Sequence, residues 1–326
     1  MNEPILSVVA PCYNEEAVLL EFHRRMTAAC QELALPYELV LVNDGSRDAT
    51  WDLMQQLTRE DPNVVAVNLA RNHGHQLALT AGLSVCRGEQ ILIIDADLQD
   101  PPELLPDMLR LAEDGADVVY GQRRKRQGES WFKRLTAALF YRFIGKLSSV
   151  PIPADTGDFR LITRRVLDAL LTMPERHRFI RGMVSWIGYR QEPILYDRDP
   201  RFAGETKYPL RKMWRLAVDA VTSFSTQPLH FAAYLGVLML LASFGLLGGG
   251  TVQWLAGAAP DRLLVQLGAM GFLGSLQLIG LGILGAYLGR LCDQSKGRPL
   301  FLIERVERHN ARARLQPVKR TAEEMV

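Results

Sequence analysis

Short apolar runs alternate with helix-length stretches over roughly the first 125 residues, and no other feature constrains the fold as strongly. Nearly every side chain in these runs is aliphatic or β-branched, as expected for strands covered on both faces. Amphipathic stretches at residues 15–33 and 50–58 have the length of helices. The alternation predicts a Rossmann-like α/β domain with a mostly parallel sheet. The predicted strands are residues 5–10, 38–43, 64–69, 90–94 and 117–121.

The next part of the chain has a less regular pattern. A basic stretch at residues 123–133 is typical of a solvated loop, although it also suits phosphate binding. Two helix-like stretches follow, at residues 133–147 and 162–171, and VPIPADTGDFR (150–160) is predicted to connect them. Near the end of the chain, residues 300–306 have the composition of a strand, and the last residues are predicted to be poorly ordered.

Charge and cysteine content exclude several classes of protein. The 38 Lys and Arg residues balance 36 Asp and Glu residues, so we expect no binding to nucleic acid. The four cysteines form no CxxC pair and are predicted to be reduced, packed thiols. The N-terminal residues do not resemble a secretory signal, so we expect the first domain to stay in the cytoplasm.

Two long segments near the C-terminus carry no formal charge, at residues 230–255 and 263–288. Each reaches the roughly 20 residues that cross a bilayer, which predicts transmembrane helices at about 229–256 and 263–289. Basic residues flank the pair on both outer sides, so both flanks are predicted to face the cytoplasm. Small residues in both spans favour close helix packing, and we expect a homo-oligomer. The predicted domains are 1–226, the membrane hairpin 227–290 and a cytoplasmic tail 291–326.

Acidic side chains follow directly after the predicted strand at 90–94. Alternation along an extended chain places Asp95, Asp97 and Gln99 on the same side. Ligands of open α/β sheets bind at the carboxyl ends of the strands. Two neighbouring carboxylates there are unfavourable unless protons or a cation compensate their charge. A divalent cation bound to a diphosphate would do so, and the oxygen ligands suit Mg²⁺ or Mn²⁺.

Two other predicted strands also end in polar residues. The first continues into residues 11–16, PCYNEE, and the second into residues 43–46, NDGS. Because parallel strands end at the same edge of a sheet, these segments are expected to meet the Asp95 segment. We therefore predict that Asp44 binds a ligand. Ser46 is predicted to form the turn or to cap the next helix.

The sequence resembles the polyisoprenyl-phosphate glycosyltransferases, which have the GT-A fold and belong to glycosyltransferase family 2. Its GtrB-like pattern is related to that of dolichol-phosphate mannose synthase. Six segments in the expected order carry the resemblance, and the two predicted spans after them fit the same branch. The segments are VVAPCYNEE (8–16), VNDGSRDAT (42–50), LARNHGHQLALTAGL (69–83), IDADLQDPPE (94–103), DTGDFRL (155–161) and RFAGETKYPLRK (201–212).

The resemblance implies a role for particular residues of the nucleotide-sugar site. Asp95, Asp97 and Gln99 would hold the metal and the diphosphate, and Arg123 would contact phosphate. His73 and His75 would lie beside the donor and are not expected to bind metal. The contacts to the base and ribose would come from Pro11, Tyr13, Asn14, Glu15 and Asp44.

The resemblance also implies an acceptor site. Arg201 and Lys207 would face the phosphate of the lipid near the membrane surface. Asp155 or Asp158 would be the acidic group near the reacting atoms. A phosphate monoester is already anionic near neutral pH, so either carboxylate is expected to position a substrate more than to abstract a proton.

The expected reaction is an inverting transfer of one sugar, glucose as the first choice, from a nucleotide-sugar such as UDP-glucose to undecaprenyl phosphate. The expected location is the bacterial plasma membrane, and the product would serve envelope glycan modification. Two alternatives stay open. A processive polysaccharide synthase would need more membrane spans and a QxxRW motif, neither of which is found, and a non-catalytic scaffold or nucleotide-sugar sensor would not need an intact metal site.

Overall fold

The computed structural model describes residues 3–124, 156–176, 178–197 and 262–309. The described residues up to 197 and from 299 onward belong to one compact unit, and those from 262 to 298 belong to another. Three expected site residues, Asp155, Arg201 and Lys207, lie outside the described residues, as do the first predicted span and the helix-like stretch at 133–147. The predictions for these residues stay predictions.

The first unit consists of eight strands and six helices among its described residues. The strands are β1 (Leu6–Cys12), β2 (Tyr37–Asn43), β3 (Val64–Leu69), β4 (Gln90–Ile93), β5 (Val118–Arg123), β6 (Thr156–Thr163), β7 (Gln191–Tyr196) and β8 (Ile303–Arg308). The helices are α1 (Leu19–Glu32), α2 (Thr50–Glu60), α3 (His75–Val85), α4 (Leu105–Glu113), α5 (Arg164–Thr172) and α6 (Ile180–Ile187).

All eight strands form one sheet in the order β7-β5-β6-β4-β1-β2-β3-β8. Four neighbouring pairs are parallel, and the three pairs that involve β6 or β8 are antiparallel. The prediction of an α/β domain with a mostly parallel sheet is therefore confirmed. Each of the five predicted strands is present, and β3 has the predicted bounds.

Strand β6 corrects the prediction that residues 150–160 only connect two helices. Thr156–Thr163 lies inside the sheet, where it pairs antiparallel with both β4 and β5. The charged side chains of DTGDFRL are typical of a loop. Asp158 and Arg160 are nevertheless buried, with 4% of each residue exposed. Side chains of other elements compensate the burial of Asp158, which the local sequence cannot show, whereas backbone carbonyls of β6 itself accept hydrogen bonds from Arg160.

Both faces of the sheet are covered by helices. On helix α1, Leu19, Phe22, Met26 and Cys30 recur at helical spacing and are all buried. This face packs in one core cluster with residues of α2 and α4 and with alternate residues of the strands, such as Val8. The strands are consequently apolar on both sides, which explains why their sequences show continuous rather than alternating hydrophobicity.

Strand β8 joins the C-terminal part of the chain to the sheet. It pairs antiparallel with β3, and Arg308 donates a hydrogen bond of 2.9 Å to the buried carboxylate of Glu38. The strand-like composition at 300–306 is thus confirmed. The prediction of a separate tail from residue 291 differs from this arrangement, because residues 303–308 belong to the sheet.

The second unit contains helix α7 (Arg262–Ser295), which is 34 residues long and includes the second predicted span. Among the helices within the described ranges, none combines the length and apolar character that a membrane crossing requires. The membrane hairpin stays a prediction. All four cysteines are unpaired, as predicted, but Cys292 is exposed and not packed.

Candidate active site

The carboxyl ends of β1, β2 and β4 bring the polar segments of the sequence to one edge of the sheet. After β4 the chain alternates: Asp95, Asp97 and Gln99 are partly exposed, while the residues between them are buried. The exposure alternates as predicted, but β4 ends at Ile93, so the residues that follow form a turn and not an extended strand. The backbone amide of Gln99 donates a hydrogen bond of 3.2 Å to Oδ1 of Asp97. Leu98 adopts a positive φ of 57°, so the segment turns sharply at this point.

The loops after β1 and β2 are held together by hydrogen bonds. The amide of Asn14 donates to the Ser46 hydroxyl at 3.0 Å, and the Arg47 amide donates to Oδ1 of Asn14 at 2.9 Å. The Glu15 amide donates to the Thr50 hydroxyl at 2.9 Å. These contacts place Tyr13, Asn14 and Glu15, together with Pro11 at the end of β1, beside the loop that follows Asn43. Ser46 lies in this turn but does not cap α2.

Asp44 supports the loop before helix α3. Its carboxylate accepts hydrogen bonds from the amides of His73 and Gly74, at 2.7 and 3.0 Å. The side chain is 3% exposed, and burial raises the pKa of its carboxyl although the two amides work in the other direction. Asp44 therefore orders the loop before α3 at the carboxyl end of β2, in addition to its predicted contact with the ligand.

Asp158 is the centre of a hydrogen-bond network that joins β6, α3 and α6. Its Oδ1 accepts from Nε of Arg181 at 2.7 Å. Its Oδ2 lies 2.9 Å from the donating amide of Gln76 and 3.1 Å from Nε2 of His75. Gln76 also accepts the Ile180 amide at 3.0 Å, which attaches the start of α6 to α3. Three donors thus satisfy one buried carboxylate.

The register of the sheet explains why Asp158 and Asp95 influence each other. Ile93 pairs with Arg160 in antiparallel strands, so continuation by two residues places Asp95 opposite Asp158. His75 bridges them, with Nε2 3.5 Å from Oδ1 of Asp95. The sheet therefore brings together two carboxylates that lie 63 residues apart in the chain.

The charges in this cluster separate the pKa values of its members. Burial raises the pKa of Asp95 to about 6, against the opposing charge of His75. For Asp158, burial works to raise the pKa, but Arg181 and His75 hold it well below its usual range. Burial works to lower the pKa of His75, yet Asp95 and Asp158 raise it to about 9. Asp158 is therefore ionised and unsuited to accept a proton.

Arg123 is the last residue of β5 and lies at the same carboxyl edge. Within the described part of the chain, its Nε is buried and has no hydrogen-bond partner. An unsatisfied buried N–H costs free energy unless a ligand completes it. This geometry suits the predicted contact between Arg123 and a phosphate group.

Gln76 and Arg181 belong to the site although the sequence interpretation gave them no role. They offered no signal, because their contact with Asp158 joins residues 82 and 23 positions apart. His75 was expected beside the donor but not as a partner of carboxylates. Its acidic partners come from β6 and the end of β4.

The residues at this edge fit a divalent cation that is bound together with a diphosphate. Three oxygen-bearing side chains are partly exposed in the segment after β4, and burial together with the neighbouring carboxylates raises the pKa of Asp95. Among the described residues, no three His, Cys, Asp or Glu side chains are arranged to hold a metal by themselves. Mg²⁺-type sites often use only one or two carboxylates and complete their shell with substrate phosphates.

The model of one protein family, described as "Glycosyl transferase family 2", matches residues 7–171 of the chain. This match covers β1 to α5 and includes the acidic edge and Asp158. The chain belongs to glycosyl transferase family 2.

Relatives of this glycosyltransferase are similar over nearly their whole length. "Uncharacterized glycosyltransferase YkcC" from Bacillus subtilis is 42% identical, over 92% of this chain and 93% of the relative. "Bactoprenol glucosyl transferase" from Shigella phage SfII is 39% identical, over 94% and 99%. "Prophage bactoprenol glucosyl transferase homolog" from Escherichia coli is 37% identical, over 93% and 99%.

Proposed function

We propose that this glycosyltransferase moves one glucose from UDP-glucose to a polyisoprenyl phosphate, with undecaprenyl phosphate as the acceptor, and inverts the anomeric configuration. The observation that carries the proposal is the similarity to bactoprenol glucosyl transferases over more than nine-tenths of both chains. Similarity of this extent includes the segment of the predicted membrane hairpin as well as the donor site. The product would be a lipid-linked sugar for envelope glycan modification.

The geometry of the carboxyl edge supports the donor half of the reaction. The joined loops of Asn14 and Asp44 form one side, and the segment of Asp95 and Asp97 forms the other. In the proposal, the first two loops bind the base and ribose, while Asp95, Asp97 and Gln99 hold Mg²⁺ or Mn²⁺ with the diphosphate. When bound, the cation neutralises the charge that develops on the departing nucleoside diphosphate.

The acceptor half needs little proton chemistry from the protein. The second pKa of a phosphate monoester is about 6, so its oxygen is already anionic near neutral pH. Asp158 is correspondingly occupied by three donors and holds α3 and α6 in place. We infer that Asp158 positions the reacting groups and that the phosphate oxygen attacks the anomeric carbon directly. Asp155, Arg201 and Lys207 complete the acceptor site in this proposal.

The connectivity of the sheet supports a membrane hairpin with both ends on one side. The described residues up to 197 and strand β8 belong to the same folded unit. Any crossing segment between them must therefore cross a bilayer an even number of times. Two crossings, at about 229–256 and 263–289, satisfy this condition and agree with the basic flanks.

The same connectivity supports access of a lipid acceptor to the donor site. β7 runs parallel to β5 and ends at Tyr196 on the carboxyl edge, and β8 begins at Ile303 beside Leu69, at the carboxyl end of β3. Both connections to residues 197–302 thus leave the sheet from the edge that carries Asp95. We propose that the protein lies in the plasma membrane with this edge at the cytoplasmic face. A homo-oligomer remains part of the proposal.

Transfer of radiolabelled glucose tests the function with the purified full chain in detergent. Candidate nucleotide-sugars are incubated with undecaprenyl phosphate and Mn²⁺, and the lipid fraction is counted. We expect a single glucose on the lipid with UDP-glucose, and no transfer by Asp97→Ala. Asp107→Ala is the matched control, because this exposed carboxylate on α4 pairs only with Arg110 in the described structure.

The outcomes of this assay separate the alternatives. A polymeric product would identify a processive synthase. Binding of nucleotide-sugars without transfer from any of them would identify a sensor or scaffold. Full activity of Asp97→Ala would refute the metal assignment but not the reaction.

A further inference from the structure

Behind Arg123, a buried tyrosine and a buried carboxylate form a hydrogen-bonded pair that the proposed mechanism does not use. The Tyr196 hydroxyl donates to Oδ1 of Asp100, and the two residues are only 4% and 1% exposed. Burial, together with the negative charge of Asp100, raises the pKa of the Tyr196 hydroxyl. The hydroxyl therefore remains a donor at physiological pH, and the carboxylate remains an acceptor.

Strand pairing places this pair next to Arg123. Arg123 and Tyr196 are register partners in the parallel strands β5 and β7, so their side chains lie on the same face of the sheet. The Arg123 guanidinium is close enough to the Tyr196 hydroxyl to act on its pKa in the lowering direction. Four separate elements, the loop after β4 and the strands β5, β6 and β7, thus meet at one point.

Two glycines make this meeting possible. A Cβ on Gly121 of β5 would lie 2.8 Å from the Tyr196 ring and 2.6 Å from Phe159. The bare backbone of Gly121 therefore lets the tyrosine ring pass across β5, where it packs edge-on against Phe159 with centroids 5.7 Å apart. A larger residue at this position would exclude the ring.

Gly157 of β6 plays the corresponding part for the charged groups. A Cβ at this position would lie 3.3 Å from Nη2 of Arg123 and 4.0 Å from Oδ2 of Asp100. The guanidinium and the carboxylate therefore both lie next to the unsubstituted backbone of Gly157. Oδ1 of Asp100 faces Tyr196, while Oδ2 is on the side of Arg123.

We propose that Tyr196 and Asp100 are positioning residues that orient the Arg123 guanidinium toward the diphosphate of the nucleotide-sugar. The Tyr196 hydroxyl donates a hydrogen bond to one oxygen of Asp100. The electrostatic attraction between this carboxylate and the Arg123 guanidinium is weaker as a result. The guanidinium then stays at the carboxyl edge, where its Nε has no hydrogen-bond partner among the described residues. This inference rests on the proposed function, because it needs a nucleoside diphosphate in the site.

The experiment measures nucleotide affinity by calorimetry on the full chain in detergent with Mn²⁺, and it needs no transfer. UDP carries the diphosphate that Arg123 is expected to contact, and UMP lacks the second phosphate. We expect Tyr196→Phe to weaken UDP binding about tenfold, the effect of one charge-assisted hydrogen bond, and to leave UMP binding within about twofold. Tyr120→Phe, which lies on the other face of β5, is the matched control.

A double-mutant cycle distinguishes positioning from a purely structural role. If Tyr196 acts through Arg123, Tyr196→Phe causes no further loss of UDP affinity in an Arg123→Ala background. An equal loss for UDP and UMP, or an additional loss in that background, overturns the inference. Gly157→Ala is a second variant for the same cycle, because its methyl group displaces the guanidinium even if Tyr196→Phe does not fold.

The wild-type protein separates this inference from the proposed function. GDP and GMP are measured beside the uridine nucleotides, so that a different donor base is detected. A wild-type protein that binds none of the nucleoside diphosphates contradicts the proposed function, and the inference falls with it. A wild-type protein that binds UDP, with Tyr196→Phe indistinguishable from it, contradicts only the inference.

Discussion

Replacement of Arg181 by Met tests whether the Asp158 network holds the site together. The substitution keeps the aliphatic bulk but removes the donors to Asp158, at 2.7 Å, and to the carbonyl of Thr156, at 3.1 Å. Among the described residues, Asp158 keeps His75 and Gln76 as side-chain donors, and both bind its other oxygen. A buried carboxylate thus loses its main cationic partner.

The size of the effect follows from the burial of the two partners. Loss of one partner from a fully buried ion pair costs about 3–5 kcal/mol. The Asp158 side chain is 4% exposed but that of Arg181 is 29% exposed, so solvent screening reduces the expected loss to about 2–3 kcal/mol. For a unit of this size, each kcal/mol lowers the melting temperature by about 2–4 °C, which predicts a decrease of roughly 4–12 °C.

Thermal unfolding of the detergent-solubilised chain, followed by tryptophan fluorescence, measures this decrease. Arg190→Met is the matched control, because its ion pair with Glu192 joins side chains that are 56% and 38% exposed. Such surface pairs contribute about 0–1 kcal/mol, so the control is expected to melt within a few degrees of the wild type. Equal melting temperatures for the two variants would refute the central role of the Asp158 network.

Three further predictions follow from separate features of the structure. Gly45→Ala is expected to cost at least about 2 kcal/mol more than Gly115→Ala: both have positive φ, but only at Gly45 would a Cβ strike backbone, 2.5 Å from the Asn72 nitrogen. Denaturant unfolding measures the difference, and equal losses would contradict the clash. The hydrogen bonds of Arg165 lower the pKa of Asp117, so the stabilisation that Asp117→Asn removes is complete at neutral pH and is lost as the pH falls below about 4. The difference in melting temperature between the wild type and Asp117→Asn is therefore expected to shrink in acid, and a difference that grows would contradict this prediction. Removal of divalent cations with EDTA is expected to abolish transfer and Mn²⁺ to restore it, whereas unchanged turnover in EDTA would exclude a metal-dependent reaction.

Periodicity made the central part of the fold predictable. The strands at 38–43 and 64–69 are buried on both faces, and a local run of aliphatic residues is sufficient to specify such strands. The placement of Asp95, Asp97 and Gln99 was predictable for the same reason, since alternation along the chain is a local property. All three are partly exposed between buried neighbours, although the chain turns at Leu98.

Strand β6 shows the limit of local reasoning. Its sequence contains Asp158 and Arg160, which by themselves favour a solvated loop. They are buried because Arg181 and the carbonyls of Gly157 and Asp158 supply their hydrogen bonds. The partners of Asp158 come from distant parts of the chain, so the burial of this charge could be recognised only once the sheet was assembled.

The sequence by itself determined the strands at 38–43 and 64–69, and it placed the acidic side chains after β4, because both follow from the pattern of neighbouring residues. Tertiary structure alone decided that His75, Gln76 and Arg181 converge on Asp158 and that β8 returns to β3. These contacts join residues that are 23 to about 240 positions apart. Only the packing of the whole sheet brings such residues within hydrogen-bond distance, since no local propensity acts over that separation.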